Sequence, residues 1–127
     1  MAVALEREAC EPAIGRSTRS RVRSIDFVFV CTDGVDSADR RREALPAHLR
    51  YIEAVIARVR LAGPLLGENG ANIGSLYIIE ADSPEAAWQV LRGDPFHAAG
   101  IWQTITMLRM TGAAGTLLGG VTWSGQQ

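Results

Sequence analysis

The chain has 127 residues, enough for one domain and too few for two full cores. Its 47% hydrophobic and 21% charged residues make an ordinary globular composition, and no apolar run approaches the roughly 18–20 residues a membrane-spanning helix needs. A formal net charge of −1 gives no bulk electrostatic case for nucleic acid, and the start of the chain carries no apolar signal segment, so the expectation is a cytoplasmic protein with neither nucleic-acid nor membrane partners.

All 13 basic residues are Arg, which removes Schiff-base and other lysine chemistry. Cys10 and Cys31 are far apart and lack the Cys-x-x-Cys spacing of a metal knuckle or redox pair. Residues 1–24 carry five Arg and three Glu without periodicity and read as a flexible, solvated arm. "IDFVFVC" (25–31) alternates Ile25, Phe27, Phe29 and Cys31 against Val28 and Val30, a strand apolar on both faces and therefore expected to be covered on both.

The loop "TDGVDSADRRREALP" follows, with a helical stretch expected around 37–43. "HLRYIEAVIARVR" (48–60) is the strongest predicted helix, with Leu49, Ile52, Ile56 and Val59 as its apolar stripe. His48 lies within about 60° of the centre of that stripe, at the rim of the expected buried face. "LAGPLLG" (61–67) reads as a short strand that Pro64 confines to an edge or bulge, and "ENGANIG" (68–74) as a turn. "SLYIIEA" (75–81) is a third strand. Ser83, Pro84 and Glu85 then start a helix running to about Arg92, and "IWQTITMLRM" (101–110) is the last strand. A Gly-rich tail over 111–127 holds Leu117, Leu118, Val121 and Trp123 and is too apolar to be free.

The order β-α-β-β-α-β predicts an α+β, ferredoxin-like fold: a four-stranded antiparallel sheet with two helices on one face. The other face then needs a cover, most simply a second copy of the chain, giving a dimeric α+β barrel.

The search for chemistry is mostly negative. There is no phosphate-binding loop, dinucleotide fingerprint, zinc-protease motif or nucleophile elbow, and no cofactor is implied. Asp33, Asp36 and Asp39 alternate as in a calcium loop, but the Gly and closing Glu are misplaced, so no metal is expected. What remains is His48, a titratable group on a helix rim, and "RGDPFHAAGIW" (92–102), where Asp94, Phe96 and His97 crowd a corner. Taken alone, Asp94 before Pro95 is an ordinary turn residue, and His48 an ordinary core histidine.

The segments "PAHLRYI", "LAGPLL", "GSLYIIEADSPEAA" and "GDPFHAAGIW", in this order and at compatible spacing over residues 25–110, strongly resemble the YCII-related family. The resemblance implies the ferredoxin-like dimer already read from the pattern, and a catalytic His–Asp pair, here His48 and Asp94. Ser75 also falls on a family motif. With Tyr51, Phe96 and Arg42 it makes up the expected substrate-binding set. Where relatives place a basic residue before the Pro of "PAHL", this chain has Leu45, so Arg40, Arg41 or Arg42 must replace it or the substrate differs.

The family's characterised members include a dehydrochlorinase, and its barrel is similar to that of muconolactone isomerases. Cofactor-independent proton transfer on a small activated carbonyl, phenol or lactone is therefore the leading expectation, as a lyase or isomerase. A non-catalytic dimeric ligand-binding or regulatory domain is the first alternative. A cofactor-free monooxygenase or polyketide cyclase, with Tyr51 and Trp102 lining a larger aromatic pocket, is the second.

Overall fold

A computed structural model describes residues 25–123; the N-terminal arm and residues 124–127 lie outside the described residues. Strand β1 (Asp26–Asp33) leads into helix α1 (Ala38–Ala54), and a 3₁₀ turn over Ile56–Arg58 delivers the chain to β2 (Val59–Leu66). β3 (Asn72–Glu80), α2 (Pro84–Arg92), the short α3 (Pro95–Ala98) and β4 (Trp102–Met110) complete the domain. The strands form one antiparallel sheet in the order β2-β3-β1-β4, the split β-α-β arrangement of a ferredoxin-like fold. Pro64 sits on the edge strand β2, where a missing N–H leaves no central ladder bond unmade.

The core lies between the sheet and the helices. Phe27, Phe29 and Cys31 of β1, Tyr77 and Ile79 of β3, and Ala87 and Leu91 of α2 form one buried cluster. Strand alternation puts them on one face, and in register Phe29 faces Tyr77 and Cys31 faces Ser75. Gly74, beside Ser75, has its place because a Cβ there would collide with the Cys31 carbonyl.

α1 is where the observed chain departs furthest from its pattern. The expected helix over 48–60 begins ten residues earlier and ends at Ala54, and Val59 and Arg60 belong to β2. Pro46 does not stop it, although a mid-helix proline forfeits one backbone hydrogen bond. The stripe changes with the boundaries: Leu49 is 51% and Ile56 58% exposed, and the inward residues are Arg41 and the partly buried His48 and Ile52. The β-branched run Val55, Ile56, Val59 favours leaving the helix, and that local preference wins over the periodicity.

Within one chain the helices cover only one face of the sheet. On the other, Leu61 of β2, Ile78 of β3, Val28 of β1 and Leu108 of β4 stand opposite one another as a row across all four strands. Beyond β4 the chain makes a small hairpin, β5 (Ala114–Gly115) with β6 (Gly120–Val121), around a 3₁₀ turn that exposes Leu117.

Candidate functional site

Three elements bring the polar residues of the domain together beneath the helices. α1 offers Arg41 and His48, seven residues and so two turns apart on one face. β3 offers Ser75 and Tyr77, two residues apart and both pointing toward the helices. Between α2 and β4 the chain turns at Gly93 and Asp94. A Cβ at Gly93 would run into the Tyr51 hydroxyl, so glycine lets α1 and α2 close to this distance. Asp94 then caps α3, accepting the Phe96 amide N–H at 2.8 Å, with Pro95 pre-set at the first helical position.

The capping carboxylate does more than end a turn. His48 Nδ1 lies 2.8 Å from Asp94 Oδ1 and 2.9 Å from Oδ2, and the Tyr77 hydroxyl donates to Oδ2 at 2.6 Å. The Asp94 side chain is fully buried and that of His48 is 15% exposed. A carboxylate only accepts, so the proton in the His48–Asp94 bond belongs to Nδ1 and Nε2 is the nitrogen left for other chemistry. Phe96, three percent exposed, lies flat against the imidazole with ring centroids 3.8 Å apart and planes 3° from parallel. Burial first, and then the Asp94 charge, pushes the Tyr77 hydroxyl far above the ordinary tyrosine range, so it remains a donor.

A second network adjoins the first through the same phenyl ring. Arg41 grips Asp33 with Nε at 2.8 Å and Nη2 at 3.1 Å, and Nη2 also donates to the Gly74 carbonyl at 2.9 Å and to Ser75 Oγ at 2.8 Å. Its guanidinium carbon is 5.1 Å from the Phe96 ring centre. Ser37 adds a third donor to Asp33 at 3.2 Å. Nearby, burial pushes the Cys31 thiol up to about 12, helped by the Asp33 and Asp94 charges, which leaves it an unreactive core group.

Of the residues singled out from the sequence, His48, Asp94, Phe96 and Ser75 fall within these two networks. Arg42 does not: it is on the solvent side of α1, its side chain 70% exposed and paired with Asp39. The seven-residue step back from His48 along the continuous helix leads to Arg41 instead. Tyr51 is close by, but its hydroxyl is committed to the Val90 carbonyl at 2.6 Å, so it acts as a strut between α1 and α2. The His97 imidazole packs against Trp102 with centroids 6.3 Å apart, and the bond of His97 to Asp94 is a backbone one, its N–H donating to the Asp94 carbonyl at 2.8 Å. Tyr77 is the residue that the sequence does not single out; Arg41 is there one of three possible replacements for the missing basic residue, and Asp33 part of a rejected calcium-loop pattern. For Tyr77 the alternation with Ser75 was a legible signal. For Asp33 the pairing depends on a contact that no local pattern encodes. Trp102, expected from the sequence to line an aromatic pocket under the monooxygenase or cyclase alternative, packs edge-on to Tyr77 and Phe96, and its Nε1–H is buried with no acceptor among the described residues.

Among the described residues, no three His, Cys, Asp or Glu side chains gather as a metal site. An apolar groove of about 480 Å³ lies elsewhere, between the C-terminal hairpin and the uncovered sheet face; Leu61, Ile78, Met110 and Leu118 line it with Arg60. It shares no residue with the His48–Asp94 cluster. No helix among the described residues is long and apolar enough to cross a membrane.

Comparison with known proteins bears on this arrangement in three ways. Protein YciI of Escherichia coli O6:H1 (strain CFT073) is 33% identical over 89 residues, covering 64% of this chain and 91% of that protein, and the figures for YciI of Shigella flexneri are the same. Among solved structures, 5-chloro-2-hydroxyhydroquinone dehydrochlorinase (TftG) from Burkholderia phenoliruptrix AC1100, in complex with 2,5-dihydroxybenzoquinone, is similar with a TM-score of 0.59 and 27% identity, over 72% of this chain and 96% of that one. The family model of the YCII-related domain matches residues 25–111, a span that holds the whole sheet, all three helices and both networks, and the chain belongs to the YCII-related family.

Proposed function

We propose that the protein is a small-molecule enzyme in which the His48–Asp94 pair moves a proton without a cofactor, during elimination, isomerisation or cyclisation of an activated carbonyl, phenol or lactone. The observation that carries this reading is the engagement of His48 Nδ1 by both oxygens of a buried carboxylate. Such a partner holds one tautomer, aims the ring and stabilises the imidazolium once Nε2 has taken a proton. Family membership and the similarity to a dehydrochlorinase support the choice of chemistry. In loss of HCl from a chlorinated hydroxyphenol, Nε2 would accept the substrate's proton while chloride departs with the electrons of its carbon–chlorine bond; the imidazolium then returns its proton to solvent.

A panel of chlorinated hydroxyhydroquinones and small lactones tests the reading, with chloride release and product absorbance as readouts. The native chain should turn over at least one of them, and His48→Gln should lower that rate by about 10²–10⁴-fold while keeping the fold. A His48→Gln chain as active as the native one would end the proposal. One observation favours a second reading, a non-catalytic ligand-binding or regulatory domain: Asp94 ties α1, β3 and α3 together and so has a structural reason to be there. Failure of the whole panel would favour it.

The working unit we propose is a homodimer. The support is the apolar row Leu61–Ile78–Val28–Leu108 on the sheet face that the helices leave uncovered, where Leu61 is 44% and Leu108 56% exposed.

A further inference from the structure

The groove between the C-terminal hairpin and the uncovered sheet face has one wall made by a segment outside the family match, since the hairpin begins at Ala114 and the match ends at residue 111. That hairpin is a built element. Ala114 pairs with Val121 and Gly115 with Gly120, and the Ala113 carbonyl accepts both the Thr122 N–H at 2.9 Å and the Thr122 hydroxyl at 3.1 Å. Gly119 and Gly120 turn the chain at φ 80° and 127°, where a β-carbon would be strained. Leu118 folds back on Gly112, where an added Cβ would lie 3.1 Å from its Cδ1, and so closes the groove. Leu117, next to it on the same 3₁₀ turn, is 78% exposed.

The position of the groove says what covers it. Leu61 and Ile78 belong to the apolar row and also line the groove, and Met110 continues the same face of β4 two residues beyond Leu108. Row and groove are therefore one surface, on which Leu61, Leu108 and Met110 are all exposed within a single chain. The charges at its end are tied to one another, Arg60 to Asp26 at 2.9 Å and to Glu80 at 3.2 Å, which leaves apolar walls for an apolar occupant. Two sheets stacked face to face sit about 10 Å apart. A hairpin standing over one end of the face then meets the sheet stacked on it. An apolar knob beside an apolar groove is also the self-complementary pattern that a two-fold pair uses twice.

We propose that the occupant of this groove is a second copy of the chain: the C-terminal hairpin is a clasp, and Leu117 of each copy seats in the groove of the other. The inference rests on the homodimer reading and adds to it the element that locks the pair and the contact that element makes.

The test uses the full-length chain. Sedimentation equilibrium gives the dimer dissociation constant of the native protein, of Leu117→Asp and of Leu108→Arg. Leu117 is exposed within one chain, so its replacement leaves folding intact, which circular dichroism checks. Leu117→Asp should weaken the dimer by about ten- to a hundredfold, the loss expected when an apolar anchor gives way to a charge. The contact itself is read by placing benzoylphenylalanine at position 117, mixing unlabelled with ¹⁵N-labelled chains, and irradiating. After cleavage at Arg, cross-links should join peptide 110–127 of one isotope to peptide 61–92 of the other. An unchanged constant in Leu117→Asp, or cross-links confined to one isotope, would overturn the clasp. Links within one chain to residues 1–23 would give the groove to the N-terminal arm and overturn it as well. The dimer reading fails separately: dissociation by Leu108→Arg but not by Leu117→Asp leaves the sheet-to-sheet pair standing without its clasp, whereas a native chain monomeric at high concentration removes both.

Discussion

Asp94 accepts from the Phe96 amide, the Tyr77 hydroxyl and the His48 imidazole at once, so one side chain caps a helix and orients a base. The cap explains why a carboxylate is tolerated at a fully buried corner, since three donors replace the water it gives up. Removing one donor should therefore be felt. Tyr77→Phe keeps the ring packing and deletes only the hydroxyl, and a loss of about 1–3 kcal/mol in urea unfolding is expected. Asp26 is a second buried carboxylate. Burial raises its carboxyl above the ordinary value, the Arg60 pairing opposes this only in part, and the Glu80 charge adds to it. A raised folded-state value means that the folded chain binds the proton more tightly than the unfolded one. Ionising Asp26 then subtracts stability as pH rises through the folded value, and nothing is subtracted below the unfolded value. Stability of Asp26→Asn relative to the native chain should consequently rise between about pH 4 and pH 7, as read from paired urea titrations.

Elements were legible to different degrees, and the reasons are physical. The alternation in β1 and the cap sequence Ser83-Pro84-Glu85 placed β1 and α2 well, and Ser83 does accept the Ala86 N–H. Both signals are local, set by side-chain alternation and by a single cap bond. The bounds of α1 differ from its pattern because residues 44–47 continue the helix and Val55–Val59, read as more helix, leave it. Tertiary packing carried the chain through the first, and β propensity ended it before the second. Among Arg40, Arg41 and Arg42 the structure turns Arg41 inward, a choice that a run of three arginines does not by itself make. The short α3 was missed because four residues carry no periodicity; only its cap chemistry, Asp94 with Pro95, was visible. His48, Asp94, Phe96 and Ser75 were legible through the family resemblance rather than through pattern. The Arg41–Asp33 pair joins a strand end to a helix and had no signal outside the three-dimensional structure.

At the scale of the molecule, the two faces of the sheet have different jobs. The helix-facing side holds the core and the polar networks, and the other presents a continuous apolar row that no helix among the described residues covers. Leu108 is central to that row's exposure, and its side chain stabilises nothing within the described core. Leu108→Arg should leave thermal unfolding of the fold intact at high concentration and shift the mass measured by light scattering from two chains toward one. A native chain already monomeric at high concentration would rule out the proposed dimer. The reading of the helix-facing side turns on which nitrogen of His48 carries the proton, and ¹⁵N NMR of the imidazole in the full-length protein reports this directly. In the neutral ring, Nδ1 should be protonated and Nε2 bare, with the Nδ1 proton shifted downfield by its bond to Asp94 and that shift lost in Asp94→Asn. A neutral ring protonated at Nε2 would leave no base at the open side of the imidazole and would contradict proton transfer by this pair.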